Sequence, residues 1–203
     1  MQMRTQSKKH KIIRTVLLVI LLFLIVAAGG FISVYEGRFQ TISSIQKVTD
    51  YDEYNLYRMD VKYDYDLDRL IEYGITDNQS FVDAIVKESL PILPVHIKAP
   101  DFGCSAFTLQ EADGNVLMGR NYDFKRDTSA MLVYCEPKDG YKSVAFAALD
   151  NISANIPDAS MKKKLATLTA PFICLDGMNE KGVSIAVLTL DSEPVHQNTC
   201  LLY

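Results

Sequence analysis

The stretch of sequence that decides the fold begins Gly103-Cys104-Ser105-Ala106-Phe107, turns at Asp113-Gly114 and ends Met118-Gly119-Arg120-Asn121-Tyr122-Asp123-Phe124. Two runs with alternating apolar residues flank the Asp-Gly dipeptide, which is a strong local signal for a β-hairpin. The hairpin would carry a cysteine at the start of its first strand and an arginine and an aspartate at the end of its second.

The length of the hairpin loop decides which side chains share a face. A two-residue loop at 113–114 pairs Cys104 with Asp123 and brings the thiol within about 5 Å of the carboxylate. In that register Arg120 faces the other side of the hairpin unless a bulge turns it. A three-residue loop would shift the pairing by one residue. We take the two-residue loop as the expectation.

Cys104 is a candidate nucleophile in this hairpin. A thiol is a weak nucleophile until it ionises. If the peptide bond after Gly103 is cut, the new α-amine of Cys104 is the nearest base, and such amines titrate at about 7.7–8.0. That range suits proton transfer near neutral pH. Asp123 would hold the ammonium form of the amine, and Arg120 would favour the thiolate.

A second motif lies further along the chain, at Asp176-Gly177-Met178-Asn179-Glu180-Lys181-Gly182-Val183. In the first motif Cys104 precedes Arg120 by 16 residues and Asp123 by 19. The two motifs, in this order and with this spacing, resemble the linear amide C–N hydrolases. That group of N-terminal-nucleophile enzymes includes choloylglycine hydrolase, penicillin V acylase and the relatives of acid ceramidase. The resemblance implies cleavage between Gly103 and Cys104 and amide hydrolysis by the exposed cysteine.

The resemblance also implies the residues of the site. The expected catalytic residues are Cys104, Arg120 and Asp123. Candidate contacts to the oxyanion or the substrate are Asn121, Asn179 and Thr189. The family usually has an asparagine where this sequence has Thr189, and a hydroxyl donates one hydrogen bond with a shorter reach. This departure bears on the activity or the substrate class.

Composition excludes several partners and cofactors. Residues 1–14 hold five Lys or Arg and no acid, while the whole chain of 203 residues carries a net charge of −4. The remainder is therefore acidic, which argues against nucleic acid as a partner. No metal-ligand spacing and no phosphate-binding glycine loop occurs, so no metal and no cofactor is expected. The resemblance implies a small-molecule amide substrate of the N-acyl amino acid, bile salt or β-lactam type.

The N-terminal region predicts a membrane anchor. Residues 15–35 are uncharged and apolar, and about 20 such residues cross a bilayer core. The basic tail of residues 1–14 places the N-terminus in the cytoplasm and the rest of the chain outside, as a single-pass membrane protein. The alternative is a cleaved signal peptide, with Ala27-Ala28-Gly29 as a poor cleavage site. The length of the apolar run favours the anchor.

Residues 36–103 form a segment that resembles the presegment of the acid ceramidase relatives. Its predicted elements are a strand over residues 55–63, a helix over residues 67–73, and a helix over residues 80–90 with Asp77 as its cap. Three prolines then make an extended linker that leads to Gly103. Such a linker suits a cleavage site, although an ordinary connector would look the same.

Residues 104–203 are expected to be the N-terminal half of an αββα sandwich, which makes the fold class α+β. The predicted strands after the first hairpin are residues 130–136, 141–149, 171–176 and 183–190, with a turn at 177–182 and a helical or loop crossing at 156–168. These elements supply about one sheet, whereas the sandwich needs two. The sequence is therefore interpreted as a fragment. Cys135 and Cys174 lie in apolar runs and are expected to be buried free thiols.

Three functions follow from these patterns. The first is an amide hydrolase that uses Cys104, and the second is an acyltransferase that uses the same thioester. The third is a non-catalytic binding module anchored at the surface. His96 and His196 are alternative bases for a Cys–His dyad, but neither has a local sequence signature.

Overall fold

Helices and strands are mixed along the chain, which gives an α+β architecture. The computed structural model describes residues 2–51, 54–97, 104–122, 129–157 and 160–188, without the side chains of residues 2–9 and 104. The described helices are α1 (Gln2–Ser43), α2 (Leu67–Glu72), α3 (Asn78–Ser89) and α4 (Met161–Ala166), with 3-10 helices at Leu149–Ile152 and Thr167–Phe172. The described strands are β1 (Gln46–Lys47), β2 (Leu56–Asp60), β3 (Cys104–Gln110), β4 (Val116–Tyr122), β5 (Ala130–Cys135), β6 (Ser143–Ala148), β7 (Asp176–Asn179) and β8 (Ser184–Ala186).

The N-terminal helix α1 contains the predicted apolar run of residues 15–35. Within it, His10–Ser43 is long and apolar enough to span a membrane, a property that a signal sequence near the N-terminus shares. Its Leu22 and Phe23 side chains are exposed, as expected for a helix that is apolar all round. The chain divides into two compact units, Met1–Gly37 and Arg38–Tyr203.

Six strands of the second unit form one sheet in the order β1-β2-β5-β6-β7-β8. Strand β2 pairs in parallel with β5, from Leu56 opposite Ala130 to Asp60 opposite Tyr134. The other neighbours in this sheet are antiparallel. The predicted segment 36–103 and the predicted enzyme segment therefore share a single sheet.

The core lies on one face of this sheet, where β2 and β5 meet. Met59, Met131 and Val133 have no solvent exposure, and they pack in one cluster with residues of the 3-10 helix such as Leu168. The Tyr63 hydroxyl donates to the carbonyl of Leu168 at 2.5 Å. Burial of alternate residues confirms the strand that was predicted over 55–63.

The two predicted helices of residues 36–103 are confirmed, and each has a cap. Asp66 accepts from the amide of Arg69 at the start of α2, and Asp77 forms a capping box at the start of α3. At the end of α3 the guanidinium of Arg38 donates to the carbonyls of Glu88 and Ser89 at 2.7 and 2.6 Å. A cation is favourable at this end of a helix, because the last carbonyls have no partner within the helix.

The second hairpin, β5–β6, is confirmed, but the third strand pair differs from its prediction. Residues 171 and 172 belong to a 3-10 helix rather than to a strand, and the strand is Asp176–Asn179. Gly177 therefore lies within the strand and not in the turn. A Cβ at this position would come within 2.8 Å of the Ala145 Cβ on β6, so the close approach of β6 and β7 explains the glycine.

The shared sheet predicts that a cut between the two predicted segments leaves them associated. A protease site engineered within residues 98–103 should give two fragments that co-elute in detergent and separate only in denaturant. The reason is that β2 and β5 contribute to one buried face.

Matched variants at neighbouring positions of β2 test this reason. Met59→Gln buries an amide in the core and should release the fragment that begins after the cut. Arg58→Gln lies on the exposed side of the same strand and should leave the fragments together. Separation of the two fragments in the Arg58→Gln variant would contradict the shared core. Co-elution of the two fragments in the Met59→Gln variant would contradict it as well.

Candidate active site

The β3–β4 hairpin has a different register from the one that was predicted. Cys104 pairs with Tyr122, and Ala106 pairs with Arg120, so the predicted pairing of Cys104 with Asp123 is wrong. The loop contains three residues, 112–114. The amide of Gly114 donates to the carbonyl of Glu111 at 3.0 Å, and Gly114 has a φ of +91°. A three-residue loop needs this left-handed residue at its end.

The shift by one residue moves Arg120 to the other face of the hairpin. Because side chains alternate along a strand, positions 104, 106, 120 and 122 lie on one face. The expectation that Arg120 faces away from position 104 in a regular strand is therefore wrong. Asn121 pairs with Ser105 on the opposite face, which separates it from the face of position 104.

The glycine of the Gly-Arg-Asn motif has a packing role. Phe107 pairs with Gly119 across the hairpin, and its ring lies over the glycine. A Cβ on Gly119 would come within 2.2 Å of the Phe107 Cζ atom. The absence of a side chain at position 119 thus lets the aromatic ring cover the face opposite to Arg120.

The Arg120 guanidinium contacts the end of the six-stranded sheet. Its Nε atom lies 3.6 Å from the Asp176 Oδ2 atom, and its Nη2 atom donates to the carbonyl of Val187 at 3.3 Å. The guanidinium carbon lies 5.1 Å from the centre of the Tyr122 ring. The Arg120 side chain is only 7% exposed and that of Asp176 15%. The arrangement is a largely buried ion pair between the hairpin and the sheet.

Asp176 is a site residue that sequence reasoning missed. The sequence places it at the start of the second motif, and no role was predicted for it there. Burial raises the pKa of the Asp176 carboxyl, although the charge of Arg120 acts in the opposite direction. The signal that could have found it is an acid directly after the apolar run Ile173-Cys174-Leu175, since a carboxylate beside buried strand residues needs a cation.

A second contact holds the same end of the hairpin. The Tyr122 hydroxyl lies 3.2 Å from the Asn151 Oδ1 atom and donates to it. Asn151 belongs to the 3-10 helix that follows β6 and is 7% exposed. Residues 120 and 122 therefore each contact the second unit outside the hairpin, on the face that includes position 104.

The Asn179 side chain forms hydrogen bonds within the turn between β7 and β8. Its Oδ1 atom accepts from the amides of Lys181 and Val183, each at 3.0 Å. The side-chain oxygen therefore organises the turn. Asn179 lies three residues from Asp176 along β7, which is about 10 Å at the usual rise of a strand. The structure does not bring it to Arg120.

Several predicted residues lie outside the described part of the chain, namely Gly103, Asp123, Thr189, His196 and the Cys104 side chain. His96 is described. Its Nδ1 atom lies 3.5 Å from the Asp83 carboxylate, with the imidazole 73% exposed. Among the described residues, no group of three His, Cys, Asp or Glu side chains could hold a metal ion.

Comparison with known proteins identifies the segment that carries this site. The family model of the linear amide C–N hydrolases, choloylglycine hydrolase family, matches residues 104–198. Residues 104–198 are thus similar to the choloylglycine hydrolase family. The match begins at Cys104 and includes both the hairpin and the Asp176–Val183 motif. No curated protein and no solved structure matches the chain.

Similarity to the choloylglycine hydrolase family suggests hydrolysis of linear amides and a small-molecule substrate. The hairpin is suited to such chemistry, because a buried cation can stabilise a thiolate or an oxyanion in a site that excludes water. The described geometry supplies the cation and its carboxylate partner.

The two described thiols, those of Cys135 and Cys174, lie in environments that lower their reactivity. The prediction that Cys135 and Cys174 are free thiols is confirmed. Burial raises the pKa of both, so little thiolate forms near neutral pH. We expect each of them to react with iodoacetamide at pH 7.5 at least about tenfold more slowly in the native protein than in denaturant. Peptide mass spectrometry of the alkylated protein measures this ratio.

The Cys135→Ala variant is the control for peptide assignment in that experiment. It should remove one labelled peptide in denaturant and leave the native labelling pattern unchanged. Rapid native labelling of Cys135 would contradict the burial of β5 against the core.

Proposed function

We propose that this chain hydrolyses a linear amide of a small molecule by using Cys104 as an N-terminal nucleophile. Cleavage of the Gly103–Cys104 peptide bond by water would expose the α-amine of Cys104. One observation carries the proposal: the hairpin register places Arg120 on the face of position 104. The family match, which starts at Cys104, supports the same assignment.

The reaction proceeds in two steps. In the first, the α-amine accepts the thiol proton, and the sulfur attacks the carbonyl carbon of the substrate. The C–N bond then breaks, and the ammonium group returns the proton to the leaving amine, which gives a thioester. In the second step, the amine accepts a proton from water, the hydroxide oxygen attacks the thioester carbonyl, and the C–S bond breaks. The products are a carboxylic acid and the regenerated thiol.

Arg120 is proposed to stabilise negative charge at the site. A guanidinium is charged at every relevant pH, and a buried cation beside a thiol favours the thiolate. The same charge would stabilise the oxyanion of each tetrahedral intermediate. The low exposure of Arg120 strengthens these effects, because water screens the charge less.

Asp123 is proposed to hold the ammonium form of the Cys104 α-amine, as the sequence pattern predicts. Tyr122 pairs with Cys104, and Asp123 follows Tyr122 directly in the sequence. A carboxylate beside the ammonium group would raise the pKa of the amine and make it a better base.

Thr189 is proposed as a donor to the oxyanion. The carbonyl of Val187 accepts from Arg120, and Thr189 follows Val187 by two residues. Two residues span at most about 7 Å, and this short separation along the chain supports the proposal. Asn121 and Asn179 are not given this role, because the first lies on the other face of the hairpin and the second organises a turn.

We also propose that α1 is a retained single-pass anchor with its N-terminus in the cytoplasm. The basic residues 1–14 support that orientation. Residues 36–103 would then act as a presegment that stays bound after cleavage, since β2 is hydrogen-bonded to β5. The catalytic segment would remain at the membrane without a covalent link to the anchor.

The proposal predicts that the mature catalytic chain begins at Cys104. N-terminal sequencing of active protein should read Cys104-Ser105-Ala106, and Cys104→Ala should lower hydrolysis by at least about 10³-fold. The assay uses one N-acyl amino acid, one bile salt conjugate and one β-lactam. The matched control is Cys135→Ala, which removes a thiol outside the site and should retain activity.

Two outcomes would contradict the nucleophile assignment: an uncut Gly103–Cys104 bond in protein that hydrolyses amides, or full hydrolysis by Cys104→Ala. Addition of a primary amine to the assay distinguishes hydrolysis from acyl transfer, because a transferase would release the new amide instead of the acid. Absence of hydrolysis with slow alkylation of Cys104 would point to the binding-module alternative.

A further inference from the structure

We propose that Asp176 is a positioning residue, which holds the Arg120 guanidinium on the Cys104 face of the hairpin and so fixes the site against the six-stranded sheet. This inference rests on the proposed function. The structure forms two separate sheets, with β3–β4 as a two-stranded sheet of its own. Strand pairing among the described residues therefore does not set the hairpin against the larger sheet, and side chains must do so.

Asp176 is well placed to act as a fixed support. It begins β7, where it pairs with Phe146 of β6 on one side and with Ala186 of β8 on the other. Leu175, which precedes Asp176, is also hydrogen-bonded on both sides. Its amide donates to the carbonyl of Phe146 at 2.8 Å, and its carbonyl accepts from the amide of Val187 at 2.7 Å. A carboxylate on such a rigid element holds its partner more precisely than one on a loop.

Val187 provides a second contact between Arg120 and this part of the six-stranded sheet. Its amide donates to Leu175, and its carbonyl accepts from the Arg120 Nη2 atom. The guanidinium thus contacts the start of β7 through Asp176 and the residue after β8 through Val187. Two contacts on one planar group fix its orientation as well as its position.

The contact with Asp176 acts through charge. A separation of 3.6 Å between Nε and Oδ2 is longer than a hydrogen bond but is within the range of an ion pair. Both side chains are largely buried, so removal of the carboxylate takes away a charge that attracts the guanidinium at close range. Arg120 would then be held less firmly in the position that the reaction needs.

Asp176→Asn tests the inference because it keeps the size of the side chain and removes the charge. We expect kcat to fall about 10- to 100-fold with KM within about threefold of the wild type, since the proposed role of Asp176 acts through Arg120. The rate of iodoacetamide labelling at Cys104 near neutral pH should fall as well, because the thiolate loses a correctly placed cation. Asp176→Glu, which restores the charge, should recover part of both rates.

Glu180→Gln is the matched control. It makes the same chemical change at an exposed acid in the turn that follows β7, and both rates should stay at the wild-type level. Labelling of Cys104 requires no amide hydrolysis, so it tests the position of Arg120 even if the proposed hydrolase activity is absent. Wild-type labelling of Cys104 in folded Asp176→Asn would overturn the positioning role.

The double variant Arg120→Gln/Asp176→Asn covers the case in which Asp176→Asn does not fold. The double variant removes the ion pair as a whole, so it should fold and unfold at a higher denaturant concentration than Asp176→Asn. Cys104 in the double variant should still label slowly. A double variant whose losses of stability simply add would show that the two residues are not coupled, and would also overturn the inference.

Discussion

The register of the β3–β4 hairpin is the constraint on which the site depends. Gly114 adopts a left-handed conformation that closes a three-residue loop, and the loop fixes every cross-strand pair from Gln110 to Cys104. A shift of one residue would exchange the two faces of the hairpin. The observed shift puts Arg120 on the face of position 104, where burial then requires a counter-charge. The Arg120–Asp176 ion pair is thus a consequence of the loop.

The interactions that stabilise the six-stranded sheet differ from those that position the hairpin. The six-stranded sheet is held by strand pairing and by a core around Met59 and Met131. The hairpin, in contrast, forms a separate sheet among the described residues, and the side chains of Arg120 and Tyr122 contact the rest of the unit. A side-chain contact is lost with a single substitution, whereas the backbone hydrogen bonds between strands are not. Substitutions at the hairpin can therefore alter the site while the sheet remains folded.

Helix starts and hairpin turns were predictable because a few neighbouring residues specify each of them. Asp77 with Ser80 specifies the start of α3, and Pro137-Lys138-Asp139-Gly140 separates the strands of the second hairpin. The register of the first hairpin was not predictable, because Asp113-Gly114 fits a two-residue loop and also the end of a three-residue loop. The parallel pairing of β2 with β5 joins residues 74 positions apart, and no short pattern encodes such a contact. Asp176 was missed for the same reason, since its contact with Arg120 joins residues 56 positions apart.

The parallel pairing also limits how the chain can be divided. Strand β2 lies between β1 and β5, so its removal would expose the ladder edge of β5 as well as the buried faces of Met131 and Val133. An exposed apolar edge of this kind promotes association with other chains. Cleavage after Gly103 would change one covalent bond without changing this packing. Strands β1 and β2 are therefore part of the same folded sheet as β5, and under the proposed mechanism Cys104 would gain a free α-amine while that sheet stays intact.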